Sequence, residues 1–313
     1  MLSRNSYKKT TYKQVYYLKT KLYLALFCVG FFWGTTFLGI RIGVETIPPF
    51  ILAGIRNLIS GSIIFIYLLS QKKLERVSLP QFFRAFILSI LMIVLANGLT
   101  TYSEKYITSG LASLISTLTP FCVLILNLIL GQEKLSVKTI LGILLGMFGI
   151  FLIYQSSLTD LLIPEYRQGI FAILLAILAW AIGTIITKKG SANSLTMLMN
   201  VCVQMLIAGV VLTSIQYYIT PNFSSESWSM RSVFAMIYLA IFGSVVGYVA
   251  FSYLISQLPS TKVVVLSYVN LVVALFLGWL ILDEIITGRI LIATILIISG
   301  VVIVNYKKAK NPE

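Results

Sequence analysis

A chain of 313 residues with 58% hydrophobic and only 11% charged residues cannot cover itself with polar surface, because soluble chains carry roughly a quarter charged residues. Histidine is absent, which removes imidazole metal sites, Ser-His-Asp triads and imidazole proton relays; Cys28, Cys122 and Cys202 lie in apolar runs without a CxxC pair, so neither a disulfide framework nor a thiolate metal site is expected. The net charge of +14 sits in short segments between long apolar stretches, the pattern of basic loops on a membrane protein and not of a nucleic-acid-binding face.

A spanning helix needs about 20 apolar residues to cross roughly 30 Å of hydrocarbon. In chain order such runs fall at 22–42, 49–69, 84–103, 108–130, 137–154, 168–187, 195–218, 232–255, 261–282 and 288–306. A basic tail, 1–21, precedes the first run, which is longer than a signal-peptide h-region of roughly 7–15 residues and reads as an uncleaved anchor. Pro48-Pro49 opens the second run, since proline fits a first helical turn. Pro80, Pro164, Pro221 and Pro259 mark loops, and Ser136 and Thr287 stand where an N-cap hydroxyl is needed. A second basic tail, 307–313, ends the chain. With the N-terminus in the cytoplasm, 18 Lys and Arg fall on the cytoplasmic side and 5 on the other, with Arg56 inside a span. That imbalance places both termini in the cytoplasm and requires an even number of spans.

The two halves match each other. A shift of 151 lays Tyr102 on Tyr253, Thr101 on Ser252, Ser109 on Ser260, Glu133 on Glu284, Ser136 on Thr287 and Gly149 on Gly300. Near the start of each half a shift of 147 lays Trp33 on Trp180 and Arg41 on Lys188. Five runs fill 22–154 and five fill 168–306, separated by a linker at 155–167. Because five is odd, the second half enters the membrane from the opposite side. The expected fold is an all-α membrane protein of ten transmembrane helices in two inverted five-helix repeats, an arrangement suited to opening alternately to either side of a midplane site.

Polar side chains within spans are costly and tend to face the bundle interior or a wet cavity. In the third span Asn97, Thr100, Thr101 and Glu104 share one face, with Tyr248, Phe251, Ser252 and Ile255 as counterparts. Ser113, Thr117 and Pro120 share a face of the fourth span; Ser267, Tyr268 and Asn270 give the ninth its polarity, and Trp33, Thr36, Trp180 and Thr184 belong to the first and sixth. The expected solute contacts are Trp33, Thr36, Asn97, Thr101, Thr117, Trp180, Thr184, Tyr248, Ser252, Tyr268 and Asn270. For each hydroxyl the alternative is a bond to its own helix or to a neighbouring one. Arg56 is expected as a structural charge paired with Glu45 or Glu104, although it could meet a substrate carboxylate if it faced the cavity. Glu104, Glu133 and Glu284 are also expected as structural charges, the last two favouring the positive N-terminus of the helix that follows each. Gly39-xxx-Gly43, Gly142-xxx-Gly146 and Gly243-xxx-Gly247 permit close packing inside the subunit, with a homodimer as the alternative.

The segments WGTTFLGIRIGVETIPPFILAGIRNLISG, SGLASLISTLTPFCVLILNLILGQEKLSVKTILGILLGMFGIFLI and STKVVVLSYVNLVVALFLGWLILDEIITGRILIATILIISGVVIV resemble the paired domains of the EamA branch of the drug/metabolite transporter superfamily. The carrying features are the Trp-Gly of the first span, the Pro-Pro before the second, Arg56, Pro120, an acid ending each hairpin and a glycine-spaced fifth helix. The resemblance covers roughly 22–306 and implies a ten-helix inverted repeat that moves small metabolites, often outward. Leu271 in place of a second Pro120, and Gln204 near the position matching Arg56, imply unequal halves.

The expected function is a secondary transporter, an exporter or facilitator of small uncharged or zwitterionic metabolites such as amino acids, working by alternating access in a bacterial cytoplasmic membrane. No Walker sequence and no cofactor site is present in the sequence, so the expected partners are the solute and the lipid bilayer. A membrane scaffold or lipid-moving protein is the alternative. A membrane-embedded enzyme fits less well, since Asp160 and Asp283 lie in loops or at a helix end and the spans hold no acidic metal cluster.

Overall fold

A computed structural model describes residues 4–131, 137–154, 163–190, 195–221 and 225–305. The described residues are helical, without a strand. In chain order the long helices are α1 (Arg4–Gly43), α2 (Pro49–Ser70), α3 (Leu79–Ser103), α4 (Ser109–Ile129), α5 (Val137–Tyr154), α6 (Pro164–Lys189), α7 (Met197–Ile219), α8 (Met230–Gln257), α9 (Ser260–Leu282) and α10 (Gly288–Asn305). Among the described residues, eight segments are long and apolar enough to cross a membrane: α1 over Lys19–Gly43, then α2, α3, α4, α6, α7, α8 and α9. α5 and α10 are apolar helices that pack on each other. Phe82, Phe83 and Phe86 on α3, Phe171, Leu174 and Leu178 on α6, and Ile292 and Ile295 on α10 all face outward. No soluble protein exposes apolar surface on that scale; hydrocarbon is its solvent, and the chain is a multi-pass integral membrane protein.

Two prolines read from sequence as loop markers instead start helices. Pro80 is the second residue of α3 and Pro164 the first of α6, so these helices begin earlier than the apolar runs. The first turn has no intrahelical partner for its amides, and proline has no amide to satisfy. Thr287 acts as the expected cap, accepting from the Ile290 amide at 3.4 Å, whereas Ser136 lies outside the described residues. The tail expected at 1–21 continues α1 as helix from Arg4.

The halves share irregularities that composition does not announce. α3 contains a π-helical segment at Ile90–Leu95 and α8 one at Leu239–Val246. α4 is interrupted between Ser116 and Thr119, and α9 between Val264 and Ser267. The packing survives exchange of the halves: α1 lies on α8 and α9, α6 lies on α3 and α4, α2 packs on α7, and α5 on α10.

Equivalent helices meet antiparallel. Along α2 and α7, Gly54 abuts Thr213 and Gly61 abuts Leu206; along α5 and α10, Gly149 abuts Ala293 and Gly300 abuts Gly142. Tyr268 of α9 donates to the Thr117 carbonyl of α4 at 3.1 Å, while Gly278, further along α9, faces Ser109 at the start of α4. The small-residue pairs are also spent inside the subunit. Gly39 meets Leu239, Gly43 meets Leu52, Gly146 meets Phe121, Gly243 meets Thr36 and Gly247 meets Trp33.

The α2–α7 crossing brings backbone against backbone at both of two glycines. A Cβ on Gly54 would lie 2.6 Å from Thr213 Cγ2 and 2.9 Å from its backbone nitrogen; one on Gly209 would lie 2.6 Å from Leu58 Cγ and 2.9 Å from its nitrogen. Backbone cannot yield as a side-chain tip can. Gly54→Val and Gly209→Val are therefore expected to destabilise by about 1–3 kcal/mol or more, seen as a lower melting temperature in detergent. Gly288→Ala, with nothing within 4 Å, should melt like the parent.

Candidate functional site

The cavity at the centre of the bundle is built from both halves by the same positions. Val29 and Ala176, Trp33 and Trp180, Met92 and Gly243, Ile93 and Ser244, Asn97 and Tyr248, Thr100 and Phe251, Ser116 and Ser267, and Thr119 and Asn270 all line it, each pair related by the shift of 147 or 151. Its volume of about 160 Å3 far exceeds the roughly 10–15 Å3 that a single water needs.

An aromatic wall forms one side. The Trp33 ring stands edge-on to Trp180 at 5.3 Å, and Phe251 lies 5.1 Å from Trp33 and 4.9 Å from Trp180. Tyr248 closes the cluster 6.1 Å from Trp180. The π segment of α8 holds this wall in place. A π turn shifts the backbone ladder and frees carbonyls; the Gly243 carbonyl accepts from Trp33 Nε1 at 3.0 Å, and the Ala240 carbonyl accepts from Ser60 at 2.8 Å.

The polar groups stand in matched pairs of unequal character. Arg56 of α2 donates from Nη2 to Asn97 Oδ1 of α3, while Tyr248 of α8 donates to Gln204 Oε1 of α7 at 2.7 Å. Asn97 and Tyr248 are equivalent, and Gln204 falls near the position of Arg56. One half therefore offers a cation where the other offers a neutral amide. Asn270, with its amide nitrogen turned toward carbonyls, donates to Gly30 at 2.7 Å and Val29 at 3.0 Å, tying α9 to α1.

Of the residues predicted from sequence, Trp33, Thr36, Asn97, Trp180, Tyr248 and Asn270 line the cavity. Thr101, Thr117, Thr184, Ser252 and Tyr268 are not among its lining residues. Thr101 and Thr117 are buried and donate to carbonyls of their own helix, Asn97 at 2.8 Å and Leu114 at 2.6 Å. Thr184 is buried with its hydroxyl unpartnered, Ser252 is half-buried, and Tyr268 is spent on Thr117. Arg56 lines the cavity, and among the described residues no carboxylate lies within 4.0 Å of it; Glu45 pairs with Arg231 at 3.8 Å. Ser116, Thr119 and Ser244 join the lining without having been singled out, and their relation to Ser267, Asn270 and Ile93 through the repeat is the signal that finds them.

The carboxylates lie outside the cavity. Glu104, just past the end of α3, is fully buried with both oxygens unpartnered. Burial, reinforced by the Glu284 carboxylate, holds it well above the usual carboxylate range against the pull of Arg41 and Arg56. Glu133 lies outside the described residues. Glu284 caps a helix, but not the one that follows it: its Oε1 accepts from the Ser109 amide at 2.9 Å and hydroxyl at 2.8 Å, and its Oε2 from the Gly110 amide at 3.0 Å. An acid from the second half thus satisfies the N-terminus of α4 in the first, where free amides and the helix dipole favour a negative charge.

Residues 20–155 and 167–306 each match the EamA-like transporter family. The chain belongs to that family. It is 31% identical to the uncharacterized inner membrane transporter YedA of Escherichia coli K12 over 260 residues, covering 82% of this chain and 81% of YedA. It is 25% identical to the uncharacterized transporter YoaV of Bacillus subtilis 168 over 281 residues, covering 90% and 95% of the two. A solved crystal structure shares the fold at a TM-score of 0.68, with 17% identity, over 91% of this chain and 97% of that one.

In this EamA-like chain the Glu284 cap is a test of how far the halves depend on each other. Glu284→Ala leaves the Ser109 and Gly110 amides without their charged acceptor, and is expected to destabilise by about 2–3 kcal/mol. Asp283→Ala, at the neighbouring position, serves as the control, and thermal melts of both in detergent make the comparison.

Proposed function

We propose that the protein is a secondary transporter of small uncharged or zwitterionic metabolites, amino acids among them, working by alternating access of two inverted repeats in a bacterial cytoplasmic membrane. The observation that carries this reading is the central cavity lined by repeat-related residues from both halves. A site at the interface of the two repeats can be reached from either side as they rock against each other. Membership in the EamA-like transporter family supports it, as does the description of YedA as an inner membrane transporter. The antiparallel contact of equivalent helices supports inversion, since repeats inserted the same way round would bring such helices together parallel.

Two equivalent latches supply a mechanism. Arg41, ending α1, donates to the Glu104 carbonyl at 2.5 Å and the Lys105 carbonyl at 3.3 Å, beyond the end of α3. Lys188, in the last turn of α6, donates to the Ile255 carbonyl at 3.0 Å and the Leu258 carbonyl at 2.9 Å, at the end of α8. Cations suit helix C-termini because the last carbonyls have no partner and the dipole is negative there. α1 packs with α8 and α9, and α6 packs with α3 and α4, so each latch joins one cluster of helices to the other. In the proposed topology the Arg41 latch closes the outer side and the Lys188 latch the cytoplasmic side. Rocking then consists of releasing one latch while keeping the other, with Trp33, Trp180, Tyr248 and Phe251 holding the apolar part of the solute.

Two experiments test the reading. In inside-out vesicles, Trp33→Ala and Trp180→Ala should each lower solute transport by about tenfold or more while leaving membrane insertion intact, the loss that about 1.5 kcal/mol of aromatic contact predicts; full activity in both would remove the aromatic wall from the path. With Cys28, Cys122 and Cys202 replaced, a single cysteine at Ser244 should react faster with an impermeant maleimide from the cytoplasmic side in Lys188→Ala and from the outside in Arg41→Ala. Equal labelling of both variants and the parent contradicts the latch mechanism.

A further inference from the structure

We infer that Arg56 is the anion-recognising group of the cavity, so that the solute carried is a zwitterion with a single carboxylate, whose remainder rests on the aromatic wall. This rests on the transporter reading above and narrows it.

Arg56 is 2% exposed, yet it lines the cavity. A guanidinium has five donors in a fixed planar fork and stays charged in proteins. Here one donor reaches Asn97 Oδ1, a neutral oxygen, and Nε has no partner. Among the described residues no carboxylate lies within 4.0 Å of it; the ion pair found there is Arg231 with Glu45. Glu104, the nearest candidate from sequence, keeps both oxygens unpartnered and does not meet the guanidinium. Glu104 acts on this cation only from beyond contact distance, so a buried guanidinium with one amide partner keeps donors unused, which burial makes costly. A carboxylate arriving with the solute supplies what is missing, because its two oxygens match the guanidinium fork.

The rest of the lining sets the class. Arg56 is the single charged residue among those lining the cavity. A phosphate ester or dicarboxylate would bring a second negative charge with no cation to meet it. The second half answers Arg56 with Gln204, already bonded to Tyr248, so the charge stands at one pole only. Trp33, Trp180 and Phe251 supply an apolar pole suited to an aliphatic or aromatic side chain. An α-ammonium group has the π faces and the neutral oxygens of Ser116, Thr119 and Ser244 within the same lining.

The test uses purified full-length protein in detergent and matched probes on an aliphatic and an aromatic scaffold: leucine, 4-methylpentanoate, leucinamide and isoamylamine, and phenylalanine, 3-phenylpropionate, phenylalaninamide and phenethylamine. Apparent affinities come from the concentration dependence of the melting temperature. The carboxylates of at least one scaffold should bind about tenfold or more tightly than its amide and amine, as a charged hydrogen-bonded contact predicts. Arg56→Gln should abolish that preference. Should Arg56→Gln fail to fold, Asn97→Asp answers the same question: it gives Arg56 a carboxylate partner of its own, and should keep or raise the melting temperature while erasing the preference for acids. An undiminished preference in Asn97→Asp or in folded Arg56→Gln overturns the assignment. Tighter binding of amides or amines than of acids by the parent overturns it too, and leaves the transporter reading standing. Binding of no probe on either scaffold counts against both.

Discussion

A polar group inside a lipid-facing bundle has no water to fall back on, so its partner must come from the chain itself. In this protein the partner repeatedly belongs to the other half. Trp33 of α1 donates to the backbone of α8, Ser60 of α2 to the same π segment, Ser89 of α3 to the Gln204 carbonyl of α7, and Tyr268 of α9 to α4. Helix ends obey the same constraint: Arg84 at the start of α3 donates to the Ile186 carbonyl near the end of α6, and Ser232 at the start of α8 donates to the Ile42 carbonyl near the end of α1. The last two bonds join equivalent ends. Each half leaves buried groups that only the other satisfies, which makes the interface between them part of the structural core.

That dependence explains which features were legible from sequence. The apolar runs announce the helices because hydrocarbon demands a fixed length of apolar chain, and the matched Trp33 and Trp180 announce the aromatic wall because tryptophan is rare enough for its spacing to carry information. The hydroxyls on the polar face of a span do not sort themselves. Thr100 and Thr101 both donate to their own helix, at 2.8 Å to the Ala96 and Asn97 carbonyls, yet Thr100 lines the cavity and Thr101 does not, and a one-residue difference in helical phase decides which. The π segments carry no proline or glycine signature in α3, and without them the register of that face cannot be fixed. Pro80 and Pro164 mislead because proline at a first helical turn and proline in a loop obey the same rule about a missing amide. Glu284 is visible as a capping acid, but the helix it caps is 175 residues away in sequence, and only the fold brings it there.

The pseudosymmetry is strictest in the backbone and loosest in the side chains facing the cavity. The latches and π segments recur at equivalent places, and these are the parts that two end states would share in the proposed mechanism. Asn97 against Tyr248 and Thr119 against Asn270 are parts that differ, and Arg56 has no charged counterpart in the lining. Motion requires that the halves be interchangeable, whereas recognition requires that the solute have one orientation. A cavity symmetric in both respects would bind its guest two ways round, diluting each set of contacts.

The latches also bear on how the two end states are balanced. Each is a cation on two helix-terminal carbonyls, a contact of about 1.5–3 kcal/mol for each charged hydrogen bond at most, and less where water reaches it. Losing one latch while keeping the other changes the count equally in either direction. In the proposed mechanism the difference between the outward and inward states is therefore left to what is not symmetric: guanidinium against ammonium in the latches, and the cavity residues around Arg56. Arginine holds its carbonyls with a planar fork and lysine with a flexible point charge, so the Arg41 side closes on a more directional contact than the Lys188 side. If the proposed solute carboxylate meets Arg56, it fills the unused donors of a buried guanidinium and lowers the cost of the closed passage between the proposed states. Exchange without a solute would keep that cost, which would couple movement of the helices to occupancy of the site.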